Sequence, residues 1–215
     1  MNNLYIFGDS FSTNFSTINE IKKEESWPVL LSNSFNLELK NYSSAGISNF
    51  GLLNIIYKNL EVNKIKESDI VIIGFTFYDR MYDFYKDTGI DLRNNNLQGY
   101  ESYEIDYYQK KWINENSMAQ YTQTALLQYK FILDCLDKQR VKFLFWNMDK
   151  CGLPIFEKLI EKYQKNYINP FGKKCWIDFC DTQPEWWQTN NDRHFGKLGH
   201  SKFFQYLYSY IIKII

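Results

Sequence analysis

The stretch Asp69–Phe75, DIVIIGF, runs from Ile70 to Phe75 without a polar side chain. A strand with one wet face alternates apolar and polar residues, whereas an unbroken β-branched run suits a strand buried on both faces, as in parallel α/β sheets. Such a strand needs helices on both sides. The segments around it alternate accordingly. Leu4–Phe7, LELKNYS (Leu37–Ser43), VKFLFW (Val141–Trp146) and CWIDF (Cys175–Phe179) read as further strands. Between them lie helical patterns: one after Ser26 with Pro28 in its first turn, NFGLLNIIYKNL behind Ser48, Ser117–Gln139, Leu153–Tyr163 and Gly196–Ile214. The expected architecture is a three-layer α/β/α sandwich around a mainly parallel, five-stranded sheet in a flavodoxin-like order.

With 215 residues and no linker-like stretch, the chain reads as a single domain, 1–215. One long interruption, about 78–116, is polar and rich in tyrosine, and is expected to be an insertion capping the functional face. Acidic and basic residues balance at 25 each, which gives no general pull towards nucleic acid or anionic lipid. No apolar stretch approaches bilayer-spanning length, and the amino terminus enters a strand directly with no export signal. The expectation is a soluble protein, cytoplasmic or part of a soluble assembly, of oligomeric state left open. The 17 Tyr, 17 Phe and 6 Trp exceed what a core alone demands, so some are expected to line a groove or interface. The four scattered cysteines read as reduced, mostly buried thiols.

Gly8-Asp9-Ser10 ends the first strand almost where the chain begins, placing a hydroxyl at the carboxyl edge of the sheet, where open α/β folds locate their sites. A serine hydroxyl needs a base to become a nucleophile. Only two histidines exist to serve, His194 and His200, both in NNDRHFGKLGH near the other end. Asp192 lies two residues before His194, close enough to orient its ring.

Four blocks in order, GDSF after the first strand, NYSSAGISNF after the second, IIGFTFYDR after the third and DRHFGKLGH before the last helix, resemble the SGNH hydrolases, also called GDSL esterases and lipases. The likeness covers nearly the whole chain. It implies Ser10 as nucleophile, His194 as base, and an oxyanion hole from the backbone N–H groups of Ser10 and Gly46. Gly199 and His200 match a pair that packs the closing helix. Two positions depart from the family pattern. Thr76 stands where an asparagine usually supplies the third oxyanion donor, and its hydroxyl is the provisional replacement, with a strand-end residue satisfying its own backbone as the structural alternative. Asn191 stands three residues before the histidine, where the family acid is common, so Asp192 takes that role at a shorter spacing, with Asn191 as the fallback.

Asp9, Asn49, Trp186 and Trp187 complete the candidate list as substrate-contacting residues, each with a structural alternative. Asp9 is suited to bracing the nucleophile loop, Asn49 to capping a helix beside the better-placed Ser48, and the tryptophans to anchoring their loop. A rival use of His194 and His200 is a zinc site with Cys175 and Cys180, whose spacing nearly fits two cysteines and two histidines. Against it, the pleat of a strand CWIDFC sends the end cysteines to opposite faces. No metal or cofactor is therefore expected. The reading is a serine esterase for carboxylic esters, with O-acetyl or other short acyl groups on a carbohydrate as first substrate. Acyl transfer through the same residues, or a catalytically weak glycan-binding or structural module, are the alternatives.

Overall fold

The computed structural model describes residues 2–13, 21–62, 64–76, 80–83, 88–91, 118–148, 154–169, 175–180, 182–189 and 192–215. In chain order its elements are β1 (Asn3–Phe7), α1 (Trp27–Phe35), β2 (Glu38–Asn41), α2 (Asn49–Glu61), β3 (Ile70–Phe75), β4 (Arg80–Asp83) and β5 (Thr88–Asp91). They continue with α3 (Met118–Lys138), β6 (Lys142–Asn147), α4 (Pro154–Lys162), α5 (Trp176–Cys180), β7 (Trp187–Thr189), β8 (Asp192–Phe195) and α6 (Lys197–Ile211). The main sheet has the order β2-β1-β3-β6 with every neighbour parallel, which is the flavodoxin order carried to four strands.

Strict alternation along the strands divides the core in two. Tyr5, Phe7, Val71, Ile73, Phe75, Phe143 and Phe145 face the layer formed by α2, α3 and α4, and Phe75 stacks on Tyr129 of α3. Leu4, Ile6, Ile70, Ile72, Leu144 and Trp146 face α1 and α6 on the other side. That two-sided burial is the physical reason the Ile70–Phe75 run carries no polar side chain.

Cys175–Phe179 is not the fifth strand; residues Trp176–Cys180 are a short helix. Trp176 and Phe179, three residues apart, both enter the α1/α6 core, a helical spacing that five residues of sequence cannot separate from a strand. The place beside β6 is held instead by 166–168. The N–H of Phe145 donates to Asn166 O (3.0 Å), the N–H of Ile168 donates to Phe145 O (2.8 Å), and Tyr167 forms one isolated parallel bridge. Within the anticipated cap, the backbones of β4 and β5 form an antiparallel pair; the rest of that insertion lies outside the described residues. Among the described residues no helix is long and apolar enough to cross a membrane.

Helix α6 is locked onto the β7–β8 hairpin. The N–H of Gly196 donates to Trp186 O (2.7 Å), and a Cβ on Gly199 would lie 2.2 Å from that same oxygen and 2.8 Å from the Phe195 ring. Only glycine permits this approach. The Gly199-His200 pair thus does pack the closing helix.

Candidate active site

Three loops meet at the carboxyl rim of the sheet. After β1, Ser10–Ser12 form a single 3₁₀ turn whose N-cap is Asp9; its Oδ1 accepts from the Phe11 N–H (3.1 Å). Thr13 Oγ1 donates to Ser10 O (2.9 Å), Trp27 Nε1 donates to Phe11 O (2.8 Å), and Asn41 Nδ2 donates to Ser12 O (2.8 Å). These bonds, with the Ser44 N–H donating to Gly8 O (3.0 Å), fasten the turn to α1 and to the loop after β2. Ser10 itself is half-buried.

From the far end of the sequence, β8 brings His194 to this turn. Its Nε2 lies 2.7 Å from Ser10 Oγ, across 184 residues of chain. The strand is pinned on one side by pairing with β7 and on the other by Phe195, buried among Trp176, Trp186 and Phe203. The imidazole stacks on Phe11, ring centroids 5.2 Å apart and planes 27° from parallel. Asp192 opens β8, its backbone paired with Thr189; its side chain, like the whole of Asn191, lies outside what is described.

His200 has a different place. It is buried, and its Nδ1 accepts from the Trp27 N–H (3.3 Å), satisfying one of the orphan donors at the start of α1. Ser26, the expected cap, turns its hydroxyl to Lys23 O instead (2.8 Å). Burial pushes the His200 pKa down to about 4 from an ordinary 6.5, so this imidazole is neutral at physiological pH. Below pH 6.5 the unfolded chain binds a proton there that the folded chain refuses until about pH 4. Stability is therefore full above pH 6.5 and falls through that window, by about 3 kcal/mol in total. His200→Gln, which does not titrate, is expected to flatten this part of a thermal-midpoint-against-pH curve; an unchanged slope would assign the acid lability elsewhere.

Gly46 lies in the turn between Ser44 and Ile47, closed by the Ile47 N–H to Ser44 O (3.2 Å), with φ +74° and no atom beyond its chain neighbours within 4 Å of where a Cβ would stand. That left-handed backbone is one glycine adopts without strain. Thr76, the provisional third donor, points its hydroxyl elsewhere. It is fully buried, and its single hydroxyl hydrogen is donated to Asp9 Oδ2 (3.0 Å) rather than held towards an oxyanion. Asn49 is also fully buried: its Oδ1 accepts from the Thr76 N–H (2.9 Å) and its Nδ2 donates to Thr76 O (3.0 Å), while Ser48 Oγ caps α2 through the Gly51 N–H (3.2 Å). Asp9 and Asn49 thus form a strut, Asn49–Thr76–Asp9, that ends at the Ser10–Ser12 turn. Trp186 is core, its ring edge-on to Phe179, and Trp187 is half-buried against the same cluster. Phe11 is the site residue that pattern reading missed, because its partner is remote in sequence.

Cys175 is a buried free thiol. With His194 Nε2 at Ser10 and His200 Nδ1 at Trp27, the two imidazoles serve separate partners, and among the described residues no group of three or more His, Cys, Asp or Glu gathers to hold a metal.

A parallel, flavodoxin-like β2-β1-β3-β6 sheet thus carries a serine–histidine pair at its carboxyl rim. No protein-family model and no curated protein matches the sequence. Solved structures do: the esterase EstA from Pseudoalteromonas, in a form inhibited by monoethylphosphonate, aligns over 99% of this chain and 98% of its own at 14% identity and TM-score 0.56. A member of the lipolytic protein G-D-S-L family from Veillonella parvula covers 100% and 98% at 12% identity and TM-score 0.52. An acetyl xylan esterase, AlAXEase, covers 96% and 98% at 14% identity and TM-score 0.50. The chain has the SGNH hydrolase fold, that of the GDSL esterases and lipases.

Proposed function

We propose that the protein is a serine esterase acting on carboxylic esters, with short acyl groups on a carbohydrate, O-acetyl first among them, as its substrates. The observation that carries this reading is the 2.7 Å approach of His194 Nε2 to Ser10 Oγ. In the proposed reaction Ser10 Oγ attacks the ester carbonyl as His194 removes its proton, and the imidazolium then protonates the departing alcohol. Asp192, two residues before the base, is assigned to accept the Nδ1 proton and fix the tautomer that leaves Nε2 free towards serine. The backbone N–H groups of Ser10 and Gly46 are assigned to the developing oxyanion. Water then releases the acyl group; an acceptor sugar in its place would make the same residues an acyltransferase. The carbohydrate preference is supported by the abundance of aromatic residues and by the likeness to an acetyl xylan esterase.

One observation favours a slower variant of this chemistry. With the Thr76 hydroxyl donated to Asp9, the hole relies on main-chain donors, and loss of one donor costs about a hundred- to a thousandfold in rate. At the extreme, the site would bind acylated glycans and turn them over poorly.

Fluorophosphonate labelling with peptide mapping tests the reading. Modification at Ser10, abolished in His194→Ala, is the expected result. An inert Ser10 in protein that retains acylated glycan would establish the binding module instead, and comparing p-nitrophenyl acetate with longer acyl chains ranks the acyl preference.

A further inference from the structure

We infer that Phe11, the residue directly after the nucleophile, is a positioning residue for the base, holding the His194 ring in line with Ser10 and stabilising it as it becomes charged. The inference rests on the esterase reading above. Its grounds are geometric. The Phe11 ring lies against the imidazole at 5.2 Å between centroids and 27° between planes, a stacked attitude that restrains rotation of the histidine ring about its own side chain. Phe11 is itself held from three directions: its N–H by Asp9 Oδ1 (3.1 Å), its carbonyl by Trp27 Nε1 (2.8 Å), and its ring edge-on to Phe195 at 5.7 Å and 86°. Phe195 is also the residue that anchors β8 in the core, so one aromatic contact joins the loop bearing the nucleophile to the strand bearing the base.

The chemistry follows from what changes during the reaction. A neutral imidazole gains only stacking from the phenyl face, whereas an imidazolium also gains attraction to the ring quadrupole. The charge develops as Ser10 Oγ gives up its proton to Nε2, so the contact strengthens on approach to the transition state, and an interaction of that kind raises kcat instead of lowering KM.

Phe11→Leu keeps apolar bulk and removes the aromatic face; Phe11→Tyr keeps both. For p-nitrophenyl acetate, Phe11→Leu is expected to lower kcat about three- to thirtyfold with KM unchanged, and Phe11→Tyr to restore wild-type kcat. A second readout does not depend on turnover. The chain has only two histidines, so the His194 imidazole proton signals are readily assigned by NMR through a His200→Gln comparison. Ring current from Phe11 is expected to displace those signals in the wild type and in Phe11→Tyr, and the displacement is expected to vanish in Phe11→Leu. If Ser10→Ala is inactive while Phe11→Leu matches wild type in kcat, or if the His194 signals are the same with and without the phenyl ring, the positioning role is wrong and the esterase reading stands. If Ser10→Ala hydrolyses the ester as fast as wild type, the esterase reading itself falls.

Discussion

Ser10→Ala is expected to lower kcat for ester hydrolysis by about ten-thousandfold or more, and His194→Ala to cost about as much. The double variant is expected to be no worse than either single one. On the proposed mechanism Oγ and Nε2, 2.7 Å apart, act as one device: without the base the hydroxyl keeps its proton, and without the hydroxyl the base has nothing to activate. Residual turnover in all three variants then reflects only binding and the main-chain oxyanion donors. Steady-state kinetics on the four proteins, with folding checked by circular dichroism, closes the cycle. Losses that multiply would mean that the two side chains act independently and that their approach has no catalytic meaning.

Asn49→Ala is expected to destabilise the fold by about 2–5 kcal/mol, read as a lower denaturation midpoint at unchanged m-value. The Asn49 carboxamide bonds both the N–H and the C=O of Thr76 at a fully buried position, so truncation removes two buried hydrogen bonds at once, each loss costing about 1–3 kcal/mol. A residue that touched substrate would give the opposite pattern, a raised KM with stability intact. Asn49→Asp sharpens the test. A buried carboxylate accepts from the Thr76 N–H but repels Thr76 O, whereas the protonated acid can donate to that oxygen. Its folded pKa is thereby raised above the unfolded value of about 3.9, so the variant's stability relative to wild type should be greatest below that pH and decline as pH rises through the folded value. A pH-independent difference from wild type would contradict the bidentate contact. Because the strut runs on from Thr76 to Asp9 and so to the Phe11 N–H, both variants are also expected to loosen the nucleophile turn and slow turnover.

Much of this architecture could be read locally. Ile70–Phe75 announced a strand buried on both faces because burial leaves its mark on every consecutive residue, and Ser48 announced α2 because a cap acts on an N–H three residues on. Cys175–Phe179 was misread for the converse reason. Five largely apolar residues fit either period, and only the seating of Trp176 against Phe195 and Phe203 and of Phe179 against Trp186 makes them a helix.

The site divides the same way. Residue types and their order along the chain, a serine after β1, a glycine after β2 and a histidine before α6, single out Ser10, Gly46 and His194 as candidates, Ser10 and Gly46 in loops that follow strands of the parallel sheet and His194 in β8. Nothing in the sequence says which partners the two imidazoles take or where the Thr76 hydroxyl points. Tertiary structure decided both, by burying His200 against the Trp27 N–H while leaving His194 beside serine, and by turning the Thr76 hydroxyl to an aspartate 67 residues away. Hydrogen bonds and ring contacts between remote segments depend on how whole layers pack, and no local periodicity encodes them.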